Sequence, residues 1–183
     1  MRSRMTALAI TSRFGTIVRR AFSALMIVAF FPAISPSQTI PRGTQAPEID
    51  LPTLQGGRIK LSALRGHPVV VTFWGTWCPP CRDELIELVA THKTYRNRGL
   101  VVLAVNQRDQ ELGTNDVQAF ITEHSVEFTV ALDRRGESRR NFRLLAIPTT
   151  VFIDSGGMIQ RVHSGAINRA DLSEGLAMIL SAK

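Results

Sequence analysis

The chain has 183 residues, 44% of them hydrophobic and 20% charged, with 13 Gly, 9 Pro and two Cys. This length and composition fit one domain with a short appendage, and they exclude a collagen, a coiled coil or a wholly disordered chain. The formal net charge is +7, but residues 1–37 hold five arginines and no acid, which leaves 17 basic and 15 acidic side chains elsewhere. A nucleic-acid-binding domain keeps a basic face on its folded part, so we expect no nucleic-acid partner.

The first 37 residues have the features of an export signal. A basic stretch precedes a 14-residue apolar run from Ala21 to Ile34. The run is shorter than the ~20 residues that span a bilayer, but it fits the core of a secretory signal. A small-x-small pattern predicts cleavage after Ser37, and Arg19-Arg20 leaves both Sec and twin-arginine export open.

Two alternatives to a cleaved signal remain. An uncleaved membrane anchor is the stronger one, and a buried N-terminal helix is disfavoured by the arginines and by Pro32. A lone cysteine pair persists as a disulfide in an oxidising compartment. We therefore expect a periplasmic or other extracytoplasmic protein that contacts the membrane only through residues 1–37, and only if they are uncleaved.

The rest of the chain predicts a linker at 38–47 and one α/β domain at 48–183. Gln55-Gly56-Gly57 lies between two short strand-like segments and predicts a hairpin. The continuous apolar run at 69–74 predicts a strand buried on both faces. Further along we predict helices at 78–98, 115–124 and 169–181, and strands at 100–105, 128–132, 149–153 and 158–163. This alternation predicts a mixed β-sheet with helices on both faces.

Two cysteines lie at the junction between the first buried strand and the helix that follows it, in the order Cys78-Pro79-Pro80-Cys81. The dipole and free N–H groups of a helix N-terminus stabilise an anion, so we expect the thiol pKa of Cys78 to be lowered. Pro80 falls in the first turn, where a missing N–H costs little. Cys81 is placed to attack a mixed disulfide formed at Cys78, so the pair can cycle between dithiol and disulfide.

Four other interpretations of the pair are weaker. A zinc half-site needs two more ligands, and the four histidines show no paired spacing. Haem attachment needs a histidine where Arg82 stands. A structural disulfide closing so short a loop stabilises little, and two unrelated buried thiols do not require the flanking strand and prolines. We favour a redox pair with no cofactor and no metal.

The segment from Phe73 to Glu84 resembles the active-site segment of the TlpA/ResA-like branch of the thioredoxin superfamily. The resemblance runs from about Gly43 to the C-terminus. It also takes in residues 43–47, 61–66, 147–150, 152–154 and 156–157. It implies a thioredoxin-like fold with an N-terminal β-hairpin extension and a thiol–disulfide oxidoreductase activity.

The resemblance also implies roles for individual residues. Cys78 corresponds to the solvent-accessible attacking thiol, Cys81 to the buried resolving thiol and Pro148 to the family's cis-proline. Thioredoxins place a buried acid where this chain has Thr72, which cannot accept a proton. Glu84 matches the carboxylate that replaces that acid and takes the proton of the resolving thiol. The alternatives are an ordinary strand-starting proline at 148 and an exposed, dipole-complementing glutamate at 84.

Residues around the pair are expected to contact the partner protein. These substrate-binding candidates are Trp77, Pro79, Pro80, Ile147 and Pro148. Ile147 precedes the proline as it does in reducing thioredoxins, which favours electron donation. Trp74 is expected in the core. The arginines at 134–135 and 139–140 are expected on a solvated loop, with partner docking as a minor alternative. The four histidines are expected at solvated or loop positions without a role.

The leading functional hypothesis is an exported reductase of protein disulfides. It would receive electrons from a membrane thiol-transfer protein and reduce disulfides of exported proteins, with cytochrome c maturation as one possible use. An oxidase or isomerase uses the same sulfurs in the opposite direction, and the potential that decides between them is not fixed by Pro79-Pro80 alone. A soft-metal carrier and a peroxidase are weaker alternatives.

Overall fold

The computed structural model describes residues 40–111 and 116–181. The predicted signal at 1–37 and the first residues of the predicted linker lie outside these ranges. Within the described ranges, no helix is long and apolar enough to cross a membrane. The helices and strands are β1 (Asp50–Pro52), β2 (Arg58–Lys60), β3 (Val69–Trp74), α1 (Pro79–Tyr95), β4 (Val101–Asn106), α2 (Asp116–Glu123), β5 (Thr129–Leu132), α3 (Glu137–Asn141), β6 (Thr149–Ile153), β7 (Ile159–Ser164) and α4 (Arg169–Leu180).

Five strands form one mixed sheet in the order β5-β4-β3-β6-β7. Strands β3, β4 and β5 are parallel, and β6 is antiparallel to both β3 and β7. Strands β1 and β2 pair as a separate antiparallel hairpin. The mixed sheet and the N-terminal hairpin confirm the predicted thioredoxin-like architecture.

Both faces of the sheet are buried, as the apolar run of β3 predicts. Val70 and Trp74 pack beneath α1, α2 and α4, whereas Val71 and Phe73 face the second core, which the N-terminal hairpin and the segment after α3 cover. Helix α4 lies so close to the sheet that a Cβ at Gly175 would be 2.4 Å from the Phe152 ring. A larger residue at this position would therefore push the helix from the sheet.

One predicted loop is partly helical. The arginine-rich segment was expected to be a solvated loop, but Arg139 and Arg140 lie in α3. The cause is the buried carboxylate of Asp133, which accepts hydrogen bonds from the backbone N–H groups of Glu137 and Ser138, both at 2.9 Å. A side-chain acceptor that satisfies the first N–H groups is what starts a helix.

The described part of the predicted linker is hydrogen-bonded to the domain. The N–H of Gly43 donates to the carbonyl of Ile159 at 2.7 Å, and the N–H of Ala46 donates to that of Gly157 at 3.0 Å. Ala46 is buried. Residues 43–46 therefore lie along the start of β7, and the domain boundary at residue 48 stays a prediction.

Candidate active site

The cysteine pair lies immediately after the carboxyl end of β3, at the start of α1. Cys78 is the N-cap of α1, and Pro79 and Pro80 occupy its first turn. The two sulfurs form a disulfide, with the Cα atoms 5.2 Å apart. Cys81 is 1% exposed and Cys78 only 5%, so Cys78 is less accessible in this disulfide form than the resemblance implies.

The two prolines change how the helix start can act on Cys78. Neither proline has an N–H group, and the next N–H, that of Cys81, donates to the Cys78 carbonyl at 3.0 Å. Among the described residues, the Cys78 side chain accepts no capping hydrogen bond. The expected lowering of the thiol pKa therefore rests on the helix dipole, without a direct N–H contact to the sulfur.

Glu84 is buried, with only 4% of its surface exposed. Its Oε1 accepts hydrogen bonds from the hydroxyls of Thr72, at 2.9 Å, and of Thr150. Its Oε2 accepts one from the N–H of Ile167 at 3.3 Å. This placement contradicts the alternative of an exposed residue that complements the helix dipole.

The surroundings of Glu84 act on its acidity in opposite directions. Burial raises the pKa of the carboxyl above its ordinary value. The hydrogen bonds from Thr150, Thr72 and Ile167, and the charge of His163, lower it in part. A carboxyl held in this way accepts a proton more readily than an ordinary glutamate, which is the property a base near a thiol needs.

Pro148 follows a cis peptide bond, as the resemblance implies. It is buried and lies just before β6. Since Thr149 pairs with Phe73, Pro148 lies at the same end of the sheet as the cysteines. Ile147 is half-buried, and Leu145, two residues before it, is 72% exposed.

Trp74 and Trp77 have the different environments that the sequence analysis predicts. Trp74 is fully buried, with its ring 5.3 Å from that of Phe120. Trp77 is 46% exposed beside the disulfide. Its indole lies over Gly75, where a Cβ would be 2.8 Å from the ring nitrogen.

A carboxylate that the sequence analysis missed holds the loop that carries Trp77. Glu111 accepts hydrogen bonds from the N–H of Thr76 at 2.8 Å, from the Thr76 hydroxyl and from the Asn106 amide at 2.7 Å. Glu111 also lines a groove of about 360 Å³ beside Trp77. We call it the tryptophan groove; its lining residues are Thr76, Trp77, Arg82, Glu111, Ala119, Phe120 and Glu123.

A second cleft, of about 330 Å³, leads to the buried glutamate. We call it the glutamate cleft; it is lined by Pro80, Asp83, Glu84, Glu87, Ala166, Ile167 and Arg169. An ion pair between Arg169 and Glu87, at 3.1 Å, lies along it. Glu84, although buried, therefore borders this cleft.

Two groups around Glu84 escaped the sequence analysis. Thr150 and Ile167 are 66 and 83 residues away from it in the chain.

The histidines were expected at solvated or loop positions, but His92 lies in α1 and His163 is half-buried in β7. Within the described ranges, no cluster of three or more His, Cys, Asp or Glu is arranged to hold a metal ion.

Comparison with known proteins places this geometry in context. A model of the AhpC/TSA family matches residues 42–162. The thioredoxin-like protein YneN of Bacillus subtilis is 33% identical over 137 residues, which are 75% of this chain and 79% of that protein. The thiol-disulfide oxidoreductase ResA of Geobacillus thermodenitrificans is 30% identical over 137 residues, covering 75% and 77% of the two chains.

A solved structure gives the same picture. The crystal structure of a candidate thiol:disulfide interchange protein DsbE from Chlorobium tepidum superposes with a TM-score of 0.70. The two sequences are 32% identical, and the match covers 78% of this chain and 100% of that one.

Proposed function

The chain belongs to the AhpC/TSA family and is a thiol–disulfide oxidoreductase of the thioredoxin-like ResA and DsbE type, and on that premise we propose that it is an exported reductase of protein disulfides. Cys78 and Cys81 are the redox pair. Glu84 is the base that takes the proton of Cys81. Trp77, Pro79, Pro80, Ile147 and Pro148 contact the partner protein.

The observation that best supports reduction is the start of α1. Strong oxidants of this superfamily owe their oxidising power to a stabilised reduced form. Here Pro79 and Pro80 remove the first two N–H groups that could stabilise a Cys78 thiolate. A less stabilised thiolate favours the disulfide form of the protein, and therefore electron donation to a substrate.

The reaction transfers two electrons to the substrate. The Cys78 thiolate attacks one sulfur of the substrate disulfide, that S–S bond breaks, and the other substrate sulfur leaves as a thiolate. Cys81 then gives its proton to the Glu84 carboxylate and attacks the Cys78 sulfur. The mixed disulfide breaks, the second substrate thiolate leaves, and the Cys78–Cys81 disulfide forms. The glutamate cleft returns the proton to solvent.

Export and electron supply complete the proposal. The signal at 1–37 directs the protein out of the cytoplasm. Outside the cytoplasm, a membrane thiol-transfer protein reduces the Cys78–Cys81 disulfide again. The disulfide formed by the cysteines of apocytochrome c is one class of substrate that such a reductase would reduce. Sequencing the mature N-terminus tests export: a chain that begins at Gln38 supports a cleaved signal, whereas an intact chain in the membrane fraction indicates an anchor.

An oxidase or isomerase is the second candidate. The dipole of the 17-residue helix α1 still acts on Cys78 and favours a thiolate. If this effect outweighs the missing N–H groups, the oxidised protein accepts electrons from dithiols. The two candidates therefore differ in the direction of electron flow and share every residue of the site.

Trapping experiments test the exchange chemistry. Cys78→Ser should abolish turnover because the attacking sulfur is lost. Cys81→Ser should accumulate mixed disulfides with disulfide-bonded exported proteins, because the resolving sulfur is missing. The double variant is the control for non-specific capture. If the Cys81→Ser protein traps no more than the double variant, exchange at Cys78 is contradicted.

A further inference from the structure

Glu84 lies over a row of polar residues that crosses three strands. Thr72 of β3 pairs with Thr150 of β6, and Thr150 pairs with His163 of β7. Directly paired residues project from the same face of a sheet, so the three side chains share the face that carries Glu84. On the other side of Thr72 the row continues with Ala104. The polar part of this row therefore starts at Thr72, beneath Glu84, and ends at His163 on the edge strand β7.

His163 is connected to Glu84 through one peptide group. Its Nε2 lies 3.2 Å from the carbonyl oxygen of Ala166. The N–H of the same peptide group, that of Ile167, donates to Glu84 Oε2 at 3.3 Å. A carbonyl oxygen only accepts, so Nε2 carries a hydrogen in this contact, and Nδ1 is the nitrogen that gains or loses a proton. The contact with Ala166 survives either change.

We propose that His163 is a positioning residue that controls how readily Glu84 holds a proton, through the Ala166–Ile167 peptide and through its own charge. This inference rests on the proposed function, because it takes Glu84 as the base for Cys81. A protonated imidazole polarises the peptide group and strengthens the N–H bond to the carboxylate. Its positive charge also favours the ionised carboxylate.

Other charged and titratable groups around Glu84 and His163 belong to three elements. They are Cys81, Asp83 and Glu87 of α1, Arg161 of β7, and Arg169, Asp171 and Glu174 of α4. Arg169 pairs with Glu87, and Arg161 pairs with both Asp171 and Glu174. These arginines keep their charge across the working pH range, so they do not contribute to the pH dependence.

Three variants of the full chain separate hydrogen bonding from charge. His163→Gln keeps a side-chain N–H for the Ala166 carbonyl but cannot be protonated, and His163→Leu removes both. His67→Gln is the matched control, because His67 precedes β3 at the end of the sheet away from the cysteines. The measured quantity is the rate of mixed-disulfide resolution as a function of pH, obtained by rapid quench after the reduced protein is mixed with a disulfide-bonded peptide. This step is chosen because the first attack also depends on the Cys78 thiolate.

In the wild type the rate falls on the acidic side as Glu84 becomes protonated. We expect this limb to move to higher pH by about half a unit or more in both His163 variants, because the positive charge is lost. His163→Leu should also lower the plateau rate, whereas His163→Gln should retain it. His67→Gln should match the wild type. Limbs of both His163 variants that coincide with the wild-type limb would overturn the inference.

Glu84→Gln, alone and combined with His163→Gln, separates this inference from the proposed function. If Glu84 is the base, Glu84→Gln lowers the rate, and His163→Gln causes no further shift in that background. A rate unchanged in Glu84→Gln overturns the proposed role of Glu84, and the inference with it. A rate that falls in Glu84→Gln, without a shift in His163→Gln, overturns the inference alone.

Discussion

The glutamate cleft and the tryptophan groove flank the cysteine pair, are similar in size and differ in chemistry. The cleft contains Pro80, Asp83 and Glu87, whose spacing puts them on one stripe of α1 with Glu84. The groove contains Arg82, on another face of the same helix. The cleft ends at a buried carboxylate, whereas the groove has a half-exposed indole at its rim.

This difference indicates a division of work around one disulfide. A buried base needs a narrow route to solvent, because exposure would remove the burial that raises its pKa. A partner protein needs an exposed apolar anchor beside Cys78, the sulfur that attacks its disulfide. We therefore expect changes in the glutamate cleft to alter proton transfer, and changes in the tryptophan groove to alter partner binding.

Among changes in the cleft and the groove, the largest effect is expected from Glu84→Gln. The amide keeps the shape and can still accept from Thr72 and Thr150, but it cannot take the proton of Cys81. We expect the rate of mixed-disulfide resolution to fall by about a hundredfold, measured by rapid-quench analysis. The pH dependence assigned to Glu84 should disappear at the same time. A wild-type pH–rate profile in the variant would contradict a base at this position.

Trp77→Ala tests the groove. Removing the indole should raise the KM for a protein disulfide by about tenfold or more, because exposed aromatic residues dominate binding energy at interfaces. The rate of resolution should not change. Ile86→Ala is the control, since Ile86 is 44% exposed and lies about 12 Å along α1 from Cys78. An equal effect of both variants would mean that the indole is not a specific anchor.

A smaller effect is expected from Thr150→Val. Valine keeps the shape of the side chain but removes the hydroxyl that donates to Glu84 Oε1. The pKa of Glu84 should rise further, so the acidic limb of the resolution rate should move to higher pH, and on that limb resolution should slow by about threefold to tenfold. Thr149→Val is the control, because its hydroxyl donates to the Ala146 carbonyl at 2.8 Å. Similar slowing in the control would show that the strand, and not the contact with Glu84, is responsible.

The smallest effect concerns stability. Burial raises the pKa of Glu84 above its ordinary 4.5, so the folded protein binds this proton more tightly than the unfolded chain does. The stability contributed by this group is complete below pH 4.5 and is lost as the pH rises through the raised pKa. In urea unfolding, the free energy of unfolding of the wild type should therefore decrease relative to that of Glu84→Gln as the pH rises over this range. A difference independent of pH would contradict the raised pKa.

Much of the fold follows from local pattern. The β-branched run at 69–74 predicts β3 with its observed bounds, and the spacing of Leu172, Leu176 and Ile179 predicts α4. The short helix α3 was missed, because it depends on one buried acceptor, Asp133, and not on a periodic apolar face. A pattern of side chains over five residues is too short to show such a helix.

The active site likewise has one part that the local sequence predicts and another that depends on strand pairing. The cysteines and prolines are consecutive, so their chemistry is visible in the sequence. The row from Thr72 through Thr150 to His163 exists only because β6 pairs with both β3 and β7 in one register. Nothing local distinguishes Thr150 from its neighbour Thr149. The strand pairing decides which of the two faces Glu84.

The reduction potential of the Cys78–Cys81 pair tests the central claim most directly. It is measured by equilibrating the protein with glutathione and dithiothreitol redox buffers and quantifying the dithiol and disulfide forms. An electron donor should have a potential near the thioredoxin end of the range, about −270 mV. A potential near the strongly oxidising end, about −120 mV, would contradict the reductase and make the protein a disulfide donor.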